Sequence, residues 1–309
     1  MSAGAEKARC TAPLRYTFPQ RVASLFPIPP SLLPTDLTDQ TVAVIGAGNI
    51  GRALVGGMLA GDALIEPERV WATRRSEDAL QALAEEFPGL RTTTDNAEAA
   101  QAASVVILAV KPQSADDVIE EIRKGTDADA LVISVLAGRT TGGLQAAFGK
   151  ELPVVRAMPN TPALVDEGAT ALAAGRFAGE GDLAVARRIF EAVGAAEVVE
   201  EHLMDAVTGL SGSGPAYVYM FIEALTDAGV KQGLPRRAAA RLAAQTVYGA
   251  SVLAVETEKH PALLRDEVTT PGGTAIAAVA ELEDHGLRTT LIDAVATATE
   301  RSKELAESE

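Results

Sequence analysis

The stretch Val42-Ala43-Val44-Ile45-Gly46-Ala47-Gly48-Asn49-Ile50-Gly51 decides the fold of this chain. Four apolar residues read as a buried strand. Three glycines follow at Gly46, Gly48 and Gly51, and an apolar helical pattern runs from Ile50 to Leu59. In a strand–turn–helix setting each glycine has its own task. Gly46 allows the turn, Gly48 lets backbone approach a pyrophosphate, and Gly51 lets the helix pack on the strand. The helix start then offers unpaired N–H groups and positive potential to phosphates. Ile45, Gly46, Ala47, Gly48, Asn49, Ile50 and Gly51 are therefore the expected dinucleotide-binding turn. Without that setting, the glycines would mark only a tight turn.

The alternation continues outward. Val70 to Thr73, Val105 to Val110, Leu131 to Val135 and Val154 to Ala157 read as strands, with helical patterns at Glu77 to Glu86 and Thr140 to Phe148. Strands alternating with helices imply a parallel sheet covered on both faces. Ala169 to Ala173 and Ala196 to Glu200 extend that sheet. After Glu201 the strand signals stop. Ser211-Gly212-Ser213-Gly214 reads as a tight turn, with Pro215 opening a helix that is apolar nearly all round from Tyr217 to Ala228. Pro235 opens another, and Leu291 to Leu305 is a third. A helix apolar on every side must be buried on every side. So short a helical segment cannot do that alone, and a second copy of the chain is the expected cover. The expected fold is α/β. A Rossmann-type, doubly wound, mostly parallel sheet spans residues 41–201, and an all-helical dimerisation and substrate domain spans 202–309. Residues 1–40 carry six helix-breaking prolines, from Pro13 to Pro34. They are expected to be a disordered extension or a stretch ahead of the natural start.

Composition bounds the function. A length of 309 residues suits about two domains. No window holds the ~20 uninterrupted apolar residues of a membrane span. The single cysteine, Cys10, rules out an intrachain disulfide and argues for a reducing, cytoplasmic compartment. A net charge of −15 argues against nucleic acid, whose phosphates need a basic patch. Only seven lysines are present, and an acidic, lysine-poor surface suits a salt-loaded cytoplasm. The plainer alternative is an acidic protein from an alanine- and arginine-rich proteome. His202, His260 and His285 are scattered without ligand spacing, so no metal site is expected.

Cofactor choice is read at the end of the second strand. An NAD site usually places a carboxylate there. This chain has Ala72-Thr73-Arg74-Arg75-Ser76, so two guanidiniums stand ready for a 2′-phosphate and NADPH is the expected cofactor. Ser76 also suits a helix N-cap. Further on, Pro112 ends Ala109-Val110-Lys111-Pro112-Gln113 and must turn the backbone off the sheet's carboxyl edge, where ligands bind. Small residues at Ala137 and Gly138 let a nicotinamide approach. In Met158-Pro159-Asn160-Thr161-Pro162, two prolines fix a rigid loop, and the Asn160 amide can bond a carboxamide, a neighbouring loop or its own turn. Gly272 and Gly273, in Thr270-Pro271-Gly272-Gly273-Thr274, precede a helix and expose N–H groups to a small anion such as a carboxylate.

Taken together, the glycine turn, Met158 to Pro162, the run Ala206 to Tyr217 and Pro271 to Thr274 resemble the pyrroline-5-carboxylate reductases, over roughly residues 41 to 305. The resemblance implies an NADPH-dependent oxidoreductase that reduces 1-pyrroline-5-carboxylate to L-proline, the last step of proline biosynthesis. It implies a homodimer, with a ring of dimers as the larger alternative. Thr73 and Asn96 match positions on the adenosine side, and Ala109, Val110, Lys111 and Pro112 lie beside the nicotinamide ribose. The turn from Val268 to Ile276 holds the substrate carboxylate and ring, and Glu201 matches a position near the substrate. One departure stands out. Related enzymes usually carry threonine where this chain has Ala275, and Thr274 precedes it. Thr274, Thr270, Tyr217 or a water then serves the imine nitrogen, or the iminium binds already protonated. Two rivals remain open: another NADP-dependent imine or β-hydroxyacid reductase, and a non-catalytic NADPH-binding regulator.

Overall fold

The computed structural model describes residues 37–61 and 63–307. The first half alternates strand and helix: β1 (Val42–Ile45), α1 (Asn49–Leu59), β2 (Val70–Thr73), α2 (Glu77–Glu86), β3 (Arg91–Thr93), α3 (Asn96–Gln101), β4 (Val105–Leu108), α4 (Ala115–Ile122), β5 (Leu131–Ser134), α5 (Thr141–Phe148) and β6 (Val154–Met158). Then come β7 (Gly168–Ala174), α6 (Glu180–Glu191) and β8 (Gly194–Val198). The rest is helical: α7 (Met204–Val207), α8 (Gly214–Lys231), α9 (Arg236–Thr257), α10 (Pro261–Glu267), α11 (Thr274–Asp284) and α12 (Leu287–Glu307).

Eight strands form one sheet in the order β3-β2-β1-β4-β5-β6-β7-β8. Neighbours run parallel except at β6–β7, where Val155 pairs with Ala174 in antiparallel register. The chain moves outward from β1 to β3 and then crosses to β4 on the other side of β1. That reversal opens a crevice at the carboxyl ends of β1 and β4, where Ile45 and Leu108 stand in register. Both faces are closed. Val42, Val44, Ile107 and Ile133 pack with Leu54, Met58 and Phe190 of α1 and α6 on one side. Ile45, Val106 and Val132 pack with Ile119, Ile122 and Phe148 of α4 and α5 on the other. A strand covered on both faces is apolar at successive positions, which is why these runs were legible.

Three expectations are corrected. First, β3 had no signal, because Arg91-Thr92-Thr93 is a short polar edge strand. Second, Leu37 is buried in the core at 2% exposure, so the sheet domain gathers its core from ahead of Thr41. The expected extension otherwise lies, through residue 36, outside the described residues. Third, Ser211 to Gly214 is no turn. The backbone stays helical from α7 through a π-helical stretch, Thr208–Gly212, into α8, and Ser213 has φ −85°. The glycines here serve close packing instead. A Cβ on Gly209 would lie 2.4 Å from Thr299 Oγ1 of α12. Pro215 does stand at the start of regular α8.

In the helical region α8 packs along α9, and α12 lies against α7 and the π-helical stretch. Among the described residues, α9 is long and apolar enough to cross a membrane by length and composition alone. Alanine keeps its mean hydropathy high although polar residues interrupt the run. Of its residues, Ala239 and Ala243 are buried.

Candidate active site

The glycine turn hangs from the end of β2. Gly46 N–H donates to Thr73 Oγ1 at 3.0 Å, and Ala47 N–H donates to the Thr73 carbonyl at 2.8 Å. Thr73 in turn donates to Asn96 Oδ1 at 2.6 Å, and the Asn96 amide donates to Glu121 Oε2 at 2.9 Å. Thr73 and Asn96 are thus brought to the turn as expected, but their polar atoms are busy holding its shape. Gly46 has φ +87°, and a Cβ there would sit 2.6 Å from Val110 Cγ1. Glycine is required at that position on both counts. At Gly51 a Cβ would meet the Gly46 carbonyl at 2.8 Å.

Gly48 differs: the nearest atom to a Cβ there is 4.0 Å away. Its open side lies over the start of α1, which has no side-chain cap and no acidic residue in its first turn. Unclaimed N–H groups beside an open glycine fit a pyrophosphate. Arg74 is half-buried and Arg75 exposed at the end of β2, and neither forms an ion pair among the described residues. Ser76 caps α2 by accepting from Ala79 N–H. The residues present therefore fit NADP, with both guanidiniums free for the 2′-phosphate.

Along the same edge, Ala109 N–H donates to the Ile45 carbonyl at 2.9 Å and ties β4 to the glycine turn. Val110 abuts Gly46, Lys111 is exposed, and Pro112 opens a 3₁₀ turn, Pro112–Ser114. Ala137 is exposed beyond β5, next to Gly138 at φ +80°.

The turn ahead of α11 forms with the helix start left uncapped. Gly273 N–H donates to the Thr270 carbonyl at 2.9 Å, Gly272 has φ +68°, and Gly273 is the N-cap of α11 with no side-chain cap bond. Thr274 is exposed and Ala275 half-buried. Thr274 does not cap the helix, so that role does not explain it. This turn sits on α11, which packs mainly against α12.

Residues 201–305 match the family described as pyrroline-5-carboxylate reductase dimerisation, and residues 41–138 match NADP oxidoreductase, coenzyme F420-dependent. The chain is 40% identical over 270 residues to the pyrroline-5-carboxylate reductase of Escherichia coli, covering 87% of this chain and all of that one. The chain belongs to the pyrroline-5-carboxylate reductase family. It is 46% identical to the Synechocystis enzyme, over 85% of this chain and 97% of that one. The Coxiella burnetii reductase structure superposes with a TM-score of 0.82 at 40% identity, covering 86% of this chain and 98% of that one. A Plasmodium falciparum pyrroline carboxylate reductase with NADP bound gives 0.76 at 31% identity, over 87% and 98%.

Three of the expected site side chains make hydrogen bonds within the fold. Asn160 donates to the Ser211 carbonyl at 3.0 Å and accepts from Ala169 N–H at 2.9 Å. Proline has no N–H, so Pro215 cannot satisfy the Ser211 carbonyl four residues back. Asn160 satisfies it. Glu201 accepts from both Thr141 N–H at 2.6 Å and Thr141 Oγ1 at 2.7 Å, so it holds the start of α5. Tyr217 donates to the Gly209 carbonyl at 3.0 Å. The histidines are exposed: His202 faces Glu200, His260 caps α10, and His285 ends α11.

Arg156 was not singled out in the sequence. It is 4% exposed on β6. Burial pulls its guanidinium below the ordinary arginine range, while Glu201 and Asp205 push the other way. A charged residue inside Val154-Val155-Arg156-Ala157-Met158 was the available signal.

Proposed function

We propose that this chain is an NADPH-dependent reductase that converts 1-pyrroline-5-carboxylate to L-proline. The observation that carries the reading is the match of both domains, end to end, to a pyrroline-5-carboxylate reductase. When bound, NADPH supplies the hydride that the imine carbon accepts, while the ring nitrogen gains or already carries a proton. The chain's own residues bind and align. The α1 start and Gly48 take the pyrophosphate, and Arg74 and Arg75 take the 2′-phosphate. Lys111 and Pro112 flank the ribose, and Ala137 leaves room for the nicotinamide. The N–H groups around Gly273 and Thr274 hold the carboxylate and orient the ring. Positioning of this kind supplies several kcal/mol without any acid or base. With Ala275 lacking a hydroxyl, Thr274, Thr270 or a water serves the nitrogen, or the iminium arrives protonated.

The reading assigns nucleotide binding to residues 41–201, and dimerisation and substrate binding to 202–309. The functional unit is a homodimer in the cytoplasm, in which α11 reaches a cofactor edge by assembly. The charge of −15 favours function at high salt. Turnover of pyrroline-5-carboxylate with NADPH, at low and high salt, tests the proposal. NADPH binding without turnover would instead make the protein a regulator.

A further inference from the structure

Arg156 places a charge at a depth where hydride transfer needs none. It stands in register between Ser134 of β5 and Ala173 of β7. The two carboxylates that act on it lie on consecutive pieces of the joint between the domains. Each gives its oxygens to a different element. Glu201 takes both hydrogen bonds from Thr141. Asp205 Oδ1 accepts from Ser302 Oγ of α12 at 2.7 Å, with Ser302 7% exposed. Hydrogen bonds therefore tie the joint to α5 on one side and to α12 on the other. Thr141, itself 3% exposed, is the first residue of α5. It ends the turn that leaves β5 at the sheet's carboxyl edge and carries Ala137 and Gly138. Whatever fixes Thr141 fixes one end of that turn.

We infer that Glu201 is a positioning residue: the Glu201–Thr141 clasp sets the turn over residues 135–140 against the nicotinamide end of the cofactor. The adenosine end is left to Thr73, Arg74 and Arg75. A carboxylate bonding two donors at a helix start is held in one orientation. The inference rests on reading the strand ends as an NADPH site.

Two ligands separate the ends of that site. NADPH carries both, while 2′,5′-ADP carries only the adenosine end. Calorimetry on the intact dimer compares them. Thr141→Ala removes one hydrogen bond and keeps the other, so it is the mild variant, and Glu201→Gln is the stronger one. Both should raise the NADPH Kd, by on the order of tenfold for Glu201→Gln, the loss expected of a charged hydrogen bond. The Kd of 2′,5′-ADP should stay within about twofold, because its contacts are untouched. Retained 2′,5′-ADP binding also shows that a variant is folded. Thr141→Ser should restore NADPH affinity. Equal weakening of both ligands, or of neither, overturns the inference. Failure of wild type to bind 2′,5′-ADP overturns the cofactor reading as well.

Discussion

In the sheet domain, Val42, Val44, Ile107 and Ile133 are shut from solvent by helices of the same chain. In the helical domain, Met220 is 70% exposed, Ile292 68% and Leu242 59%. The residue types are alike, and the outcomes are opposite. The sheet completes its core from within, because each crossover lays a helix on a face. The helices α8, α9 and α12 leave large apolar side chains in the open. The sheet's core is closed within the chain, and the helical region leaves apolar faces for a second copy to cover.

The sharpest way to break this contrast is to charge these helices. Met220→Asp with Ile292→Asp would bury uncompensated carboxylates against a second copy, at a cost of several kcal/mol. We expect dimer and turnover to be lost together in light scattering and assay. A double variant that stays dimeric and active would show that these helices are not covered by a second copy.

Gly46→Ala attacks the other side. The φ of +87° and the 2.6 Å approach to Val110 leave no room for a methyl group. NADPH binding should fall below detection in titration while the dimer persists. Loss of the dimer as well would mean the two regions are not separable.

Arg74→Ala with Arg75→Ala should weaken NADPH by about 2–4 kcal/mol of charged hydrogen bonds and leave NADH unchanged. Steady-state kinetics with both cofactors decides this. Equal use of NADH by wild type would remove the role given to the end of β2.

A smaller effect separates Thr274 from Ala275. Thr274 does not cap α11, so Thr274→Ala should cost less stability than the ~1 kcal/mol of a lost cap. Any larger fall in kcat then belongs to the imine nitrogen. If a hydroxyl helps there, Ala275→Thr should raise kcat or lower KM. No change in either variant leaves alignment by the backbone N–H groups as the whole mechanism.

The smallest effect is expected at Glu167, beside the loop at the sheet's edge. Burial first, and then Asp166, hold its carboxyl above the ordinary 4.5. A raised carboxyl destabilises the fold once ionised. Stability from the protonated form is full below the unfolded value and lost as pH rises through the folded one. Glu167→Gln should therefore raise the melting temperature slightly at neutral pH, and the gain should vanish in acid below 4.5.

Much of this was legible. The strands β1, β4, β5 and β6 announce themselves because burial on both faces demands apolar residues throughout. The cofactor turn was legible because Gly46, Gly48 and Gly51 answer local backbone needs. Arg74 and Arg75 were legible as charges where a carboxylate was absent. β3 was not, since a polar edge strand carries no periodic signal. The run Ser211 to Gly214 misled, because glycines that permit helix contact look the same as glycines that permit a turn. Asn160 and Glu201 were found as residues, but the partners they bond in the fold were not legible. Their hydrogen-bond partners, Ser211 and Thr141, lie 51 and 60 positions away.

By itself the sequence determined the α/β order, the glycine turn and the family. Each of these rests on residues close together in the chain, or on composition along one element. Only the tertiary structure decided which polar side chains are left for ligands and which are spent on the fold. It also decided that the helical region stays open. Those outcomes depend on which distant groups meet, and hydrogen bonding and burial are settled by that meeting rather than by any residue alone.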